Sequence, residues 1–246
     1  MTQRLFSQIR ELSDGRLTLS DKDKVHHIRN VLRMKKDDTI IVFDKTGCQY
    51  LCGIEALSKQ QIILRVREKL KRDTRKGLQL SVACAIPKKA KMDDIMDKLT
   101  QLGVARIIPL ITKHTVVQLD KHKEVLRQER WNKIVLSASE QSKRDSLPLV
   151  DPVRSFREFI LEAKNFDPKL ILTLKGKRVS LQRAFRGEQL KNILVAIGPE
   201  GDFSDEEVAL ARRAGFVPVS LGERVLRVDT AVLATTSFIT LRYEDR

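Results

Sequence analysis

Cysteine is scarce: Cys48, Cys52 and Cys84 are the only three in 246 residues. An odd number without paired ligand spacing builds neither a disulfide framework nor a zinc site. The four histidines, His26, His27, His114 and His122, are equally scattered, so no metal centre is expected. Aromatic residues make up only 5% of the chain, too few for broad platforms on which bases stack. No apolar run approaches the ~20 residues that span a bilayer. The first fifteen residues, MTQRLFSQIRELSDG, lack the apolar core of a signal peptide. These absences lead to the expectation of a cytoplasmic protein with reduced thiols, no metal and no membrane attachment.

Positive charge, by contrast, is abundant. The formal net charge is +15, and 32% of residues are charged. Each Lys or Arg set against a phosphate releases condensed counterions, so this excess points to a polyanionic partner; a solubilising surface is the plainer reading. Residues 1–75 hold 17 Lys plus Arg against 10 Asp plus Glu, a net of +7, which leaves +8 for the other 171. The N-terminal third is therefore about twice as basic per residue.

That third reads as short β-branched strands, RLTL at 16–19, TIIVF at 39–43, YLCGI at 50–54 and QIILRV at 61–66, separated by turn residues. One helix, DKDKVHHIRNVLR, interrupts them, with Ser20 or Asp21 placed to cap it. The pattern predicts a small β-barrel, and EKLKRDTRKG at 68–77 reads as a linker. Beyond it the rhythm changes. Nearly continuous apolar runs, LQLSVACAI at 78–86, ARIIPLI at 105–111, LILTL at 170–174, ILVAIG at 193–198 and VPVSLG at 217–222, alternate with helical segments. These include a helix bearing Ile95, Leu99 and Leu102 on one face, another around 121–142, one from Ser204 and one from near Thr230. Strands buried on both faces between helices predict a parallel α/β sheet. The expected domains are 1–73 and 74–246.

Ligands of such sheets bind beyond the carboxyl ends of the strands. Three segments there are unusual: Leu174-Lys175-Gly176, Ala196-Ile197-Gly198-Pro199-Glu200-Gly201-Asp202-Phe203-Ser204, and Ser220-Leu221-Gly222-Glu223-Arg224-Val225-Leu226-Arg227. In the second, Gly198 and Gly201 permit close backbone approach or positive φ, and Ser204 with Glu207 forms a capping box. Such a pair of glycines also suits an ordinary strand-to-helix turn. It is neither a dinucleotide fingerprint nor a P-loop.

The combination is more specific. IGPEGDFSDEE followed about twenty residues later by LGERVLRVDTAVLA closely resembles the C-terminal signature of the SPOUT methyltransferases. More narrowly the chain resembles the RsmE family, which methylates N3 of a uridine in 16S ribosomal RNA. The likeness extends through Arg4 and Phe6, through His27-Ile28-Arg29-Asn30-Val31-Leu32-Arg33, through Lys98-Leu99-Thr100-Gln101-Leu102-Gly103-Val104, and through Glu140-Gln141-Ser142-Lys143-Arg144. The chain departs from the family pattern at Gln101, where glutamate is common, at Asp202, where glycine is, and at Asp229, where glutamate is.

The resemblance implies a trefoil-knotted SPOUT domain preceded by a PUA-like barrel, a homodimer, and S-adenosylmethionine wrapped by the three loops. Leu172, Thr173, Leu174, Ile197, Gly198, Pro199, Glu200, Gly201, Leu221, Gly222, Val225, Leu226, Arg227 and Ala231 are the expected cofactor residues. Uracil N3 is protonated at neutral pH, so methylation needs donors aimed at O2 and O4 and an acceptor for the proton. Arg144 and Arg227 are the nominated donors and Asp229 or Glu200 the candidate acceptors; each can instead be a phosphate contact, an ion pair or a carboxylate holding a backbone amide. Arg4, His27, Arg29, Arg33, Lys35 and Lys36 form the expected surface for 16S rRNA of the small ribosomal subunit, with His27 alternatively a packed helix residue. Other readings are a SPOUT enzyme acting on a ribose 2′-oxygen or a guanine, and a non-catalytic ribosome assembly factor.

Overall fold

A computed structural model describes residues 3–7, 14–44, 48–70, 78–88, 91–116, 120–144, 146–185 and 191–244. The chain forms two compact units. One contains Met1–Thr74 together with Ser139–Leu147; the other contains Arg75–Ala138 and Pro148–Arg246. The expected boundary at 73/74 did not anticipate the second segment of the first unit. The expected linker overlaps a strand at residues 68–70, and its remainder lies outside the described residues.

The first unit is a five-stranded sheet built from β1 (Gln3–Phe6), β2 (Arg16–Leu19), β3 (Thr39–Phe43), β4 (Gln49–Leu57) and β5 (Ile62–Leu70). The strand order is β1-β3-β4-β5-β2, antiparallel except for β1 beside β3. Strand alternation decides the burial: Leu17 and Leu19 enter the core while Arg16 and Thr18 face solvent. Asp21 caps α1 (Lys22–His26), accepting from the amides of Asp23 and Lys24 at 3.0 and 3.1 Å. A π-helical turn, His27–Val31, follows and buries Ile28 completely.

The segment Ser139–Leu147 is held to this sheet by specific polar contacts. The Phe6 amide donates to Glu140 Oε1 at 2.8 Å. The Arg4 guanidinium donates to the Lys143 carbonyl at 2.9 Å and to the side chain of Gln49. β1 was absent from the sequence expectation, because four residues with one fully buried side chain leave little periodic signal.

The second unit is an eight-stranded, wholly parallel sheet. In chain order its elements are β6 (Gln79–Ala85), α2 (Lys91–Gln101), β7 (Arg106–Ile111), α3 (Lys121–Gln141, whose residues from Ser139 on belong to the first unit), β8 (Leu149–Val150), β9 (Arg154–Ser155) and α4 (Phe156–Glu162). After these come β10 (Lys169–Leu172), β11 (Val179–Ser180), α5 (Leu181–Ala184), β12 (Asn192–Ile197), α6 (Asp205–Arg213), β13 (Val217–Ser220) and α7 (Val228–Glu244). Strand order is β11-β13-β10-β12-β6-β7-β8, with β9 also on β7. Both faces are covered. Leu80, Val82, Ile193 and Val195 pack against Ile95, Trp131 and Val232 on one side. Ala83, Leu194 and Ala196 meet Phe156, Phe159 and Val208 on the other. This is why the strands read as continuous apolar runs.

Gly103, at φ 83, follows α2 and turns the chain toward β7. α7 begins at Val228, two residues earlier than expected. It buries Val228, Val232 and Ile239 within its own unit and leaves Leu241 exposed. Ala231, Phe238 and Tyr243 pack half-buried against the same core. Among the described residues no helix is long and apolar enough to cross a membrane, and no cluster of three metal-ligating side chains occurs.

Burial raises the Glu140 carboxyl above its ordinary value of 4.5, against the Phe6 amide and the charges of His27 and Lys24, which lower it. The folded state therefore holds a proton that the unfolded chain has already released, and stability falls as pH rises from 4.5 through the folded value. Glu140→Gln keeps an acceptor for Phe6 and carries no charge. Denaturant melts across this range are expected to show a flatter pH dependence for Glu140→Gln than for the parent; an unchanged slope would contradict this.

Candidate functional site

β10 lies between β12 and β13, with Leu172 opposite Ile197 on one side and Val219 on the other. Parallel pairing brings the carboxyl ends of all three strands to the same edge. Their loops and the first turn of α7 enclose a cleft of about 620 Å³, counting the space open to solvent. Its walls are Leu172, Thr173 and Leu174 after β10, Ile197, Gly198, Pro199 and Glu200 after β12, Leu221, Gly222, Val225 and Leu226 after β13, and Ala231 of α7. Those are twelve of the fourteen residues expected from sequence.

The other two differ. Gly201 is exposed and turned away from the cleft; a Cβ there would stand 3.2 Å from His114 Cβ. Arg227 is exposed and does not line the cleft, although its carbonyl accepts from the Ala231 amide at 2.8 Å in the lead-in to α7. Neither Gly198 nor Gly201 takes positive φ; that conformation falls on Asp202, φ 60. Gly198 is needed for packing, because a Cβ would meet the Phe203 ring at 3.1 Å and its amide at 3.2 Å.

The loop after β12 is held from several directions. The Asp202 amide donates to the Pro199 carbonyl at 3.0 Å, closing a tight turn. The Lys88 amide, just beyond β6, donates to Glu200 Oε1 at 3.2 Å, so one candidate proton acceptor is engaged by a backbone amide. His114, in the loop after β7, faces the carbonyls of Gly201 and Asp202 through Nδ1 at 3.1 and 2.9 Å. Two acceptors opposite Nδ1 place a proton there. The expected capping box is present. Glu207 N donates to Ser204 Oγ at 3.2 Å, and Ser204 N to Glu207 Oε2 at 2.8 Å. Beneath the loop, burial and the Glu200 charge push the Cys84 thiol up to about 12, so it stays protonated.

Among the nominated catalytic residues, Arg227 and Asp229 flank the start of α7. Asp229 Oδ2 lies 3.5 Å from Lys91 Nζ, while Oδ1 is buried with no hydrogen-bond partner among the described residues. Arg144 belongs to the first unit, where its Nε donates to the Ser146 carbonyl at 3.2 Å. In that unit Arg4 is an internal tie rather than an open phosphate contact, since its guanidinium is spent on Gln49 and Lys143. His27, Arg33, Lys35 and Lys36 are exposed and Arg29 half-buried; Ile28, not His27, is the packed residue of this turn.

Comparison with known proteins agrees with this architecture. Residues 74–240 match a family described as an RNA methyltransferase domain, and residues 19–67 match an RNA methyltransferase PUA domain. The ribosomal RNA small subunit methyltransferase E of Bacillus subtilis (strain 168) is 31% identical over 227 residues, covering 90% of this chain and 89% of that protein. The chain belongs to the ribosomal RNA small subunit methyltransferase E family. A family member from Synechocystis is 32% identical, covering 94% of this chain and 75% of its own length. The crystal structure of the family member from Neisseria gonorrhoeae bound to S-adenosyl methionine aligns over 100% of both chains, with TM-score 0.87 and 30% identity.

Five lining residues were not among those expected: Asp202, Val219, Ser220, Arg224 and Val228. Ser220, Arg224 and Asp202 stood inside the loops singled out from sequence, so their neighbourhood was the available signal. His114 and Lys88 had none, because their contacts depend on which strands are neighbours.

Steric facts separate the two loop glycines. Gly198→Ala forces its Cβ against a wholly buried ring and a backbone amide, and is expected to destabilise the protein by about 1–3 kcal/mol. Gly201→Ala meets His114 at its Cβ, 3.2 Å away, so the exposed loop must give by a few tenths of an ångström; the variant is expected to lose less stability than Gly198→Ala, under about 1 kcal/mol. Thermal melts of the two variants check this; equal destabilisation would contradict the assignment.

Proposed function

We propose that this chain methylates N3 of a uridine in 16S ribosomal RNA, using S-adenosylmethionine held in the cleft beyond β10, β12 and β13. The observation that carries the reading is the cleft itself, where the loops after three parallel strands converge and Leu172, Leu174, Ile197, Val219, Leu221 and Leu226 line the wall beside a few polar groups. Its residues fit the cofactor: Leu172, Ile197, Leu221 and Leu226 offer apolar walls for an adenine face, and the surrounding loops offer backbone donors and acceptors. The S-adenosyl methionine in the Neisseria gonorrhoeae relative supports the same assignment here. When bound, the cofactor supplies an electrophilic methyl group on a sulfonium.

The remaining chemistry falls to this chain's own residues. Asp229 is proposed to accept the N3 proton: its Oδ1 has no hydrogen-bond donor among the described residues, and Lys91 Nζ stands 3.5 Å from Oδ2. Arg227, exposed beside α7, is proposed to donate to the developing uracil anion, and Arg144 to a base oxygen or a neighbouring phosphate. The exposed His27, Arg33, Lys35 and Lys36 are proposed to track RNA backbone from the N-terminal unit, a binding mode that weakens steeply with salt. We place the protein in the cytoplasm and infer the knotted crossing of the C-terminal strands from family membership. We also infer a homodimer, to which the exposed Val225 and Leu241 would contribute.

Nucleoside analysis of 16S rRNA from cells with and without the protein tests the reaction. N3-methyluridine is expected to disappear in its absence. A missing ribose-methylated nucleoside or methylguanosine would instead establish another target. In a purified reaction, Asp229→Asn is expected to lower kcat by about 10²–10⁴-fold while S-adenosylmethionine affinity holds; parent-like kcat would remove Asp229 as the acceptor.

A further inference from the structure

The loop after β12 contains a backbone conformation that its residue does not favour. Asp202 sits at φ 60, in the left-handed region, which L side chains disfavour and which Asp and Asn tolerate better than most. The side chain explains why an aspartate stands there. Oδ2 accepts from Thr173 Oγ1 at 2.9 Å and from the Leu174 amide at 2.8 Å. Oδ1 accepts from the Phe203 amide at 2.7 Å. Thr173 is 5% exposed, and its hydroxyl oxygen accepts in turn from the Lys175 amide at 3.1 Å.

A single carboxylate thus joins two loops that form different walls of one cleft. All three donors are neutral, so the tie consists of charge-assisted hydrogen bonds rather than an ion pair. The neighbouring cations are engaged elsewhere: Lys175 pairs with Asp205 at 3.1 Å, and Arg178 donates to the Thr173 carbonyl at 3.3 Å. On the other flank His114 grips the carbonyl of Asp202 itself, so the residue is braced by the loops after β7 and β10 together.

We propose that Asp202 is a positioning residue for the cofactor: its carboxylate latches the loops after β10 and β12 together and sets the width of the cleft before S-adenosylmethionine arrives. The inference rests on the cofactor reading given above. Ordering the two loops beforehand removes a loss of freedom that binding would otherwise incur.

Calorimetric titration of the parent, Asp202→Gly and Asp202→Asn with S-adenosylmethionine and with S-adenosylhomocysteine tests the latch. Glycine adopts the same φ without strain and deletes the carboxylate. Both ligands are expected to bind Asp202→Gly more weakly, on the order of tenfold, and by similar factors. Asparagine tolerates the backbone and keeps one side-chain acceptor, so it is expected to recover part of the loss. In steady-state assays the KM for S-adenosylmethionine is expected to rise in Asp202→Gly with kcat and the KM for RNA unchanged. Exchange of the Leu174 amide is expected to accelerate in the ligand-free variant. Parent-like affinity in Asp202→Gly would overturn the proposal. A loss confined to the cationic methyl donor and equally large in Asp202→Asn would also overturn it, because charge rather than loop positioning would then be responsible. A parent protein that binds neither ligand would defeat the cofactor reading instead.

Discussion

The cleft depends on one constraint, the parallel pairing of β10 with β12 on one side and β13 on the other. Leu172, Ile197 and Val219 stand in register, so segments up to about fifty residues apart in sequence leave the sheet at the same edge. Parallel strands align their carboxyl ends by construction, and the chain must cross over to achieve it. The register in turn rests on burial from two sides. Ile171, Leu194 and Ala196 face one core while Leu170, Leu172, Ile193 and Val195 face the other. A one-residue slip would exchange these two sets and place the loops elsewhere.

Polar ties then convert proximity into shape. The loop after β12 is touched by groups beyond β6, β7 and β10, namely the Lys88 amide, His114, and the Thr173–Leu174 pair. Chemistry that uses main chain for recognition leaves few obligatory side chains, so the aliphatic identity of Leu172 or Leu226 matters less than where the strands end. The N-terminal unit has a different basis: an alternating sheet whose basic turn, His27–Val31, stays outward because Ile28 and Val25 alone are drawn into the core.

Much of this was legible in the sequence, for identifiable reasons. β6 and β12 announced themselves as unbroken apolar runs because both faces are buried, and Ser204 with Glu207 marked the start of α6 by local chemistry alone. The three loops were legible because a sheet of this type exposes its strand ends. What failed depended on orientation. Gly201 was correctly placed in the loop, but only the structure shows that its Cα faces His114 rather than the cleft. Arg4 looked like one more basic residue; the position of β1 turned it onto Gln49 and the Lys143 carbonyl. β8, β9 and β11 are two residues each and carry no period to detect. α4, by contrast, carries a local signal, since Ser155 and Glu158 form a capping box. Asp202 stood out only as a departure from family pattern, and its meaning came from the φ it adopts.

Amide hydrogen exchange with and without S-adenosylmethionine tests the central claim most directly, that this cleft holds the cofactor through its loops. The account predicts slowed exchange in residues 172–175, 197–203 and 220–227, with the strands of the N-terminal unit unchanged. Protection concentrated in that N-terminal sheet, or none in the three loops at saturating cofactor, would contradict it.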